Sequence, residues 1–75
     1  MSMNITHLVT MANQIGEFFL SYPNQEEAKK EIANHLRRFW APQMRQQIVQ
    51  HLADHDQAES GLHPLVSTAI KEYLH

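Results

Sequence analysis

His35-Leu36-Arg37-Arg38-Phe39-Trp40-Ala41-Pro42-Gln43-Met44-Arg45 is the stretch whose reading decides how the chain divides. Apolar residues recur at three- and four-residue spacings on both sides of it, which is the helical period. Pro42 disfavours helical geometry at Ala41 and fits the first position of a new helix. The stretch therefore reads as the end of one helix, a sharp change of direction and the start of another. It also holds every arginine, the only tryptophan and one of the three phenylalanines.

Working back from it, Asn24 is a good N-cap and Glu27 stands three residues on, the capping-box spacing. Glu26 and Glu27 suit the positive end of the helix dipole, and Arg37 and Arg38 the negative end. Glu26 with Lys30 and Glu31 with His35 have the i,i+4 spacing of favourable pairs. These signals predict a helix from Gln25 to Phe39 or Trp40. Its apolar arc contains Ala28, Phe39, Ile32, Leu36, Trp40 and Ala33. Phe39 lies inside the arc and is expected in the core, whereas Trp40 lies near its edge, beside Arg37, and is expected half exposed. Arg37 and Arg38 diverge by about 100° around the helix and cannot form one flat basic patch.

Farther upstream, residues 6–20 read as a helix with an unusually wide apolar arc. Phe18, Met11, Ile15, Leu8, Phe19, Ala12, Ile5, Val9 and Leu20 cover roughly 200°, against the ~100° a helix needs to dock on one side of a core. Such a helix is either surrounded by its neighbours or packs on a partner as well. Gly16 falls inside the arc, where a missing side chain permits a close approach.

Downstream, residues 42–53 read as a third helix with Met44, Ile48, Val49 and Leu52 on its apolar side. Arg45 projects into the middle of that side, so its charge must snorkel out, pair internally or meet an acidic group on a partner. Asp54 to Gly61 is polar and acidic and reads as a loop. Pro64 opens a last helix to residue 74, with Leu65, Val66, Ala69, Ile70, Tyr73 and Leu74 on one half and Ser67, Thr68, Lys71 and Glu72 on the other. The fold class is all-α: one domain, residues 1–75, built as a small bundle of three to four short helices.

A chain of 75 residues buries only about 60% of the surface exposed when unfolded, which leaves a thin stability margin. It has no cysteine, and so no disulfide, thiolate metal site or cysteine nucleophile. A net charge of −2 argues against a general grip on nucleic acid. No apolar run approaches the ~20 residues of a membrane span. Met1-Ser2-Met3-Asn4 carries no secretion pattern, and a cytoplasmic setting is expected. Six histidines raise the question of a metal, and His51 and His55 share an i,i+4 spacing beside Asp54 and Asp56. A third ligand is not evident, and no metal site is assigned. His35 and His63 sit beside helix ends and are assigned structural work, while His75 is uninformative. The two glycines stand too far apart for a phosphate loop, and no serine or threonine has a base at a suggestive spacing, so no catalytic residue is assigned.

The ordered pieces Leu8-Val9, Met11-Ala12-Asn13-Gln14-Ile15, Phe18-Phe19, Glu27-Ala28, Ile32-Ala33, His35 to Trp40, Pro42 with Met44-Arg45, and Gly61-Leu62 with Pro64-Leu65-Val66 cover nearly the whole chain. In them the sequence resembles the delta subunit of the NAD-dependent, molybdenum-containing formate dehydrogenases of bacteria. The resemblance implies a non-catalytic accessory subunit of a soluble cytoplasmic complex. It places the molybdenum cofactor, iron–sulfur clusters, FMN and the NAD site in larger partner subunits that oxidise formate to carbon dioxide, with no cofactor in this chain. Tryptophan and arginine are favoured interface anchors. The residues expected to meet a larger subunit are therefore Arg37, Arg38, Trp40 and Arg45, with Met11, Ile15 and Phe18 from the wide arc. In the alternative, Asn13 and Gln14 are solvated, Phe39 and Trp40 are core, and the arginines only terminate helices. Two competing functions are a small regulatory or nucleic-acid-binding helical protein and a module whose isolated chain forms a homodimer through the wide arc.

Overall fold

The computed structural model describes residues 4–74; the readings of Met1 to Met3 and of His75 lie outside them. Five helices follow one another: α1 Ile5–Phe19, α2 Gln25–Phe39, α3 Pro42–Asp54, α4 Gln57–Ser60 and α5 Pro64–Tyr73. The described residues contain no strand. None of these helices is long and apolar enough to cross a membrane.

The caps that the sequence announces set the boundaries. The Asn24 side chain accepts from the Glu27 amide at 3.1 Å, and Asn4 does the same for Thr6 at 2.8 Å, meeting amides that have no partner within the helix. Pro42 and Pro64 occupy the first turns of α3 and α5. α4 is one helical turn inside the segment expected to be a loop. The Ser60 hydroxyl donates to the Gln57 carbonyl at 2.9 Å and accepts from the Leu62 amide at 3.2 Å. Gly61 then ends the turn with φ +80°, a conformation that costs a β-carbon dearly. Four residues are too few to show a period.

The four long helices all pack on one another, and α5 packs most extensively on α2, with further contacts to α1 and α3. The core gathers Leu8, Ala12 and Phe19 of α1, Ile32 and Leu36 of α2, Ile48 and Leu52 of α3, and Val66, Ala69 and Ile70 of α5. Because α5 meets three helices, its buried side reaches past the apolar residues to Ser67. Ser67, expected on the polar half, is buried, and its hydroxyl is satisfied by the Pro64 carbonyl at 3.2 Å.

Polar clamps fix the packing. Lys29 bridges Glu26, one turn back at 2.5 Å, and Glu72 of α5 at 3.2 Å, so the close partner of Glu26 is Lys29, while Lys30 acts favourably on it without a direct ion pair. Tyr73 also donates its hydroxyl proton to Glu26. The hydrogen bond from Lys29 holds the Glu26 carboxyl below its usual range, with Tyr73 adding to the effect. Donating to Glu26 raises the Tyr73 phenol, and pairing with Glu26 raises Lys29. Asn13 ties α1 to the entry of α5, donating to the Gly61 carbonyl and accepting from the His63 amide, both at 2.9 Å. It acts as a structural clamp while staying partly exposed, and Gln14 beside it is exposed.

Candidate interaction surface

The turn between α2 and α3 shapes the surface. α2 ends at Phe39, and Trp40 is already extended, with ψ 140°. Ala41 continues extended at ψ 152° before Pro42 opens α3. A residue that has left the helix no longer points where a wheel places it. Trp40 turns inward and is only 6% exposed, whereas Phe39 is 68% exposed. Both expectations for this pair are reversed. Phe39 is the last helical residue, and its ring leans back along α2 as helical side chains do. It lies 4.7 Å from the His35 ring, with the Arg38 guanidinium 5.7 Å away over its face. His35 therefore packs on Phe39 in place of the expected pairing with Glu31.

The wide arc of α1 is divided lengthwise. Leu8, Ala12, Gly16 and Phe19 are buried, Met11 and Ile15 are partly covered, and Phe18 is 74% exposed. Across from Met11, Ile15 and Phe18 stand Phe39, Trp40 and Met44, and between them lies an open groove of about 740 Å³. Trp40 forms part of its wall and does not protrude. Three of the expected contact residues, Met11, Ile15 and Phe18, thus meet Trp40 at one place. Phe39 and Met44 belong to the same groove, although the helical wheel puts both among core residues. The signal that could have found Phe39 is its position at the last helical turn before an X-Pro step.

The arginines do not form one patch. Arg38 stays at the rim of the groove over Phe39. Arg37 donates to the Asn34 side chain at 2.8 Å and to the Tyr73 carbonyl. Arg37 and Arg45, from different helices, share a second cleft of about 580 Å³ beside Leu74. The Arg45 Nε–H is buried without a hydrogen-bond partner among the described residues.

His51 in the last turn of α3 and His55 at its C-cap serve the fold. His51 Nε2–H donates to the Ser60 carbonyl and His55 Nδ1–H to the His51 carbonyl, both at 2.9 Å, with the rings 4.5 Å apart. His63 occupies the N-cap position of α5 without a side-chain cap hydrogen bond, and its Nε2 lies 4.0 Å from Glu17. Among the described residues no three histidines or carboxylates gather as metal ligands would.

Fold and surface together define a small all-α protein with an aromatic- and methionine-lined groove open to its exterior. The chain belongs to the NADH-dependent formate dehydrogenase delta subunit family FdsD, whose model matches residues 7–70. Comparison with curated proteins and with solved structures gave no match. Membership makes it a formate dehydrogenase delta subunit by family, and the family implies association with other subunits of that enzyme.

Proposed function

We propose that this chain is a non-catalytic accessory subunit of a cytoplasmic NAD-dependent formate dehydrogenase, supporting the assembly or stability of the complex through protein contacts. The observation that carries this reading is the groove. Phe18 and Phe39 face outward at 74% and 68% exposure, the most exposed large apolar side chains among the described residues. Two such rings beside methionines suit the buried centre of a protein interface. In this reading the catalytic groups are elsewhere: the molybdenum cofactor, iron–sulfur clusters, FMN and NAD belong to the larger subunits, and this chain supplies a docking face.

The test separates folding from docking. Phe18→Ser and Phe39→Ser remove exposed rings, and each is expected to change stability by no more than about 0.5 kcal/mol. Trp40→Ala removes a buried ring and is expected to cost about 3–5 kcal/mol, enough to unfold most of a small domain. Tagged wild-type chain should bring the larger subunits with it in fixed proportion. The Phe18→Ser/Phe39→Ser protein should melt normally by circular dichroism yet bind roughly 30-fold or more weakly, the loss of one hot spot of about 2 kcal/mol. Wild-type chain that recovers no dehydrogenase subunit would overturn the function. A folded double variant that still binds fully would overturn the groove.

A further inference from the structure

Among the described residues no carboxylate answers Arg45. Its Nε–H is buried and unpartnered there, although arginine is among the side chains least often buried without a counter-charge. Around it, Arg37 comes from the end of α2, Gln46 and Gln50 from α3, and Val49 and Leu74 form an apolar floor. Arg37 is held in place by Asn34 and the Tyr73 carbonyl, which together use only part of its five-donor fork. No acidic residue of the described chain lines the cleft. Glu26 and Glu72 are engaged by Lys29 on the α2–α5 side, Glu17 faces His63, and Asp54 accepts from Gln50.

Resting on the accessory-subunit reading, we infer that this cleft takes an acidic segment of the larger subunit, seating a glutamate or aspartate side chain between Arg37 and Arg45. The guanidinium fork matches a carboxylate edge to edge. The Gln46 amide offers a further donor, Gln50 already donates to Asp54 at 3.0 Å, and the apolar floor suits the methylene stem of a glutamate. A polyphosphate backbone fits less well, because the whole chain carries a net charge of −2 and such ligands depend on a broad positive field. One carboxylate needs only the local pair.

A purely structural arginine and a docking arginine differ in what their replacement does. In the isolated chain the buried Arg45 Nε–H has no partner among the described residues, so Arg45→Met, which keeps an unbranched apolar stem in its place, should fold at least as stably as wild type. The same variant, and Arg37→Gln, should bind the dehydrogenase subunits roughly 30-fold or more weakly and with a flatter salt dependence, the scale of a desolvated charge partner lost. Arg45→Lys places a primary amine in the cleft. Treating the purified complex of that variant with a water-soluble carbodiimide should join the introduced amine to a glutamate or aspartate of a larger subunit, which peptide mass spectrometry identifies. If Arg45→Met and Arg37→Gln bind as wild type does, with unchanged salt dependence, the cleft assignment fails while the accessory role stands. If Arg45→Met is markedly less stable, the arginine is structural and the assignment fails. If wild-type chain holds no dehydrogenase subunit, both readings fall together.

Discussion

Gly16→Ala is the substitution that most directly interrogates the packing. A β-carbon at Gly16 would lie 2.2 Å from Cγ2 of Val66 and 3.7 Å from its Cβ. Ordinary carbon contacts sit at about 3.5–4.0 Å, so the first distance is short by more than ~1 Å. Val66 cannot easily yield. It is fully buried, and a valine in a helix is largely confined to one rotamer. Relief must come from α5 moving away from α1, and α5 is held between α1, α2 and α3. Overpacking of this kind costs about 1–3 kcal/mol, and the severity of the overlap argues for the upper part of that range. Against it, alanine in place of glycine favours the helix by about 1 kcal/mol. The net expectation is a destabilisation of about 1–2 kcal/mol, which lowers the melting temperature by roughly 5–15 °C in a domain of this size. Val66→Ala alone should lose about 1–3 kcal/mol of methyl burial and leave a small void. In Gly16→Ala/Val66→Ala the new methyl occupies part of that void, so the double variant should be more stable than Val66→Ala. Urea unfolding of the four proteins, followed by circular dichroism, yields a coupling energy expected at about 1–3 kcal/mol. A Gly16→Ala protein as stable as wild type or more so, or a cycle additive within about 0.5 kcal/mol, would refute the packing of α1 on α5.

Two further outcomes follow from the polar clamps. Asn13→Ala removes both hydrogen bonds that join α1 to the Gly61–His63 segment and leaves the His63 amide without its acceptor, so unfolding in urea should show a loss of about 1–3 kcal/mol. Asn13→Asp keeps the acceptor but loses the donor to Gly61 and should fall between alanine and wild type. The Glu26–Lys29–Tyr73 cluster sets the pH limits. Glu26 is depressed from an ordinary value of 4.5, so its contribution is present above that value and disappears as pH falls through the folded-state value. Tyr73 and Lys29 are raised from 10.0 and 10.5, so theirs are complete below those values and vanish as pH climbs through the raised ones. Melting temperature against pH should show shoulders at both ends, and Glu26→Gln should blunt both; unchanged shoulders in that variant would place the pH sensitivity elsewhere.

What could be read in the sequence was what local chemistry controls. Asn24, Pro42 and Pro64 each act within one turn of their own position, and each marks a real helix boundary. The apolar sides of α1 and α3 follow from spacing for the same reason. Partners distant along the chain left no local trace: Asn13 finds Gly61 and His63, and Arg37 finds Tyr73. A wheel also has no axial coordinate. It places Phe39 among core residues by angle, without registering that α2 ends there and that Phe39 stays exposed although Leu36, three residues back, is buried.

The reversal of Phe39 and Trp40 bears on the surface more than on the core. Had Phe39 been buried and Trp40 half exposed, the apolar part of this corner would be one ring beside three arginines. With Trp40 extended at ψ 140°, its indole closes the core beneath the α2–α3 turn and becomes the floor for what lies outside. Phe39 then stays exposed as Phe18 does, so two rings from different helices line one groove. The over-wide arc of α1 is explained in the same step. α5, α2 and α3 cover the side that carries Leu8, Ala12 and Phe19, while the edge with Met11, Ile15 and Phe18 extends past their reach. A chain with a thin stability margin has no folding reason to hold two phenylalanines in water. In the docking role proposed above a larger subunit settles between them, which is why the exposed rings, and not the buried tryptophan, are the positions to alter first.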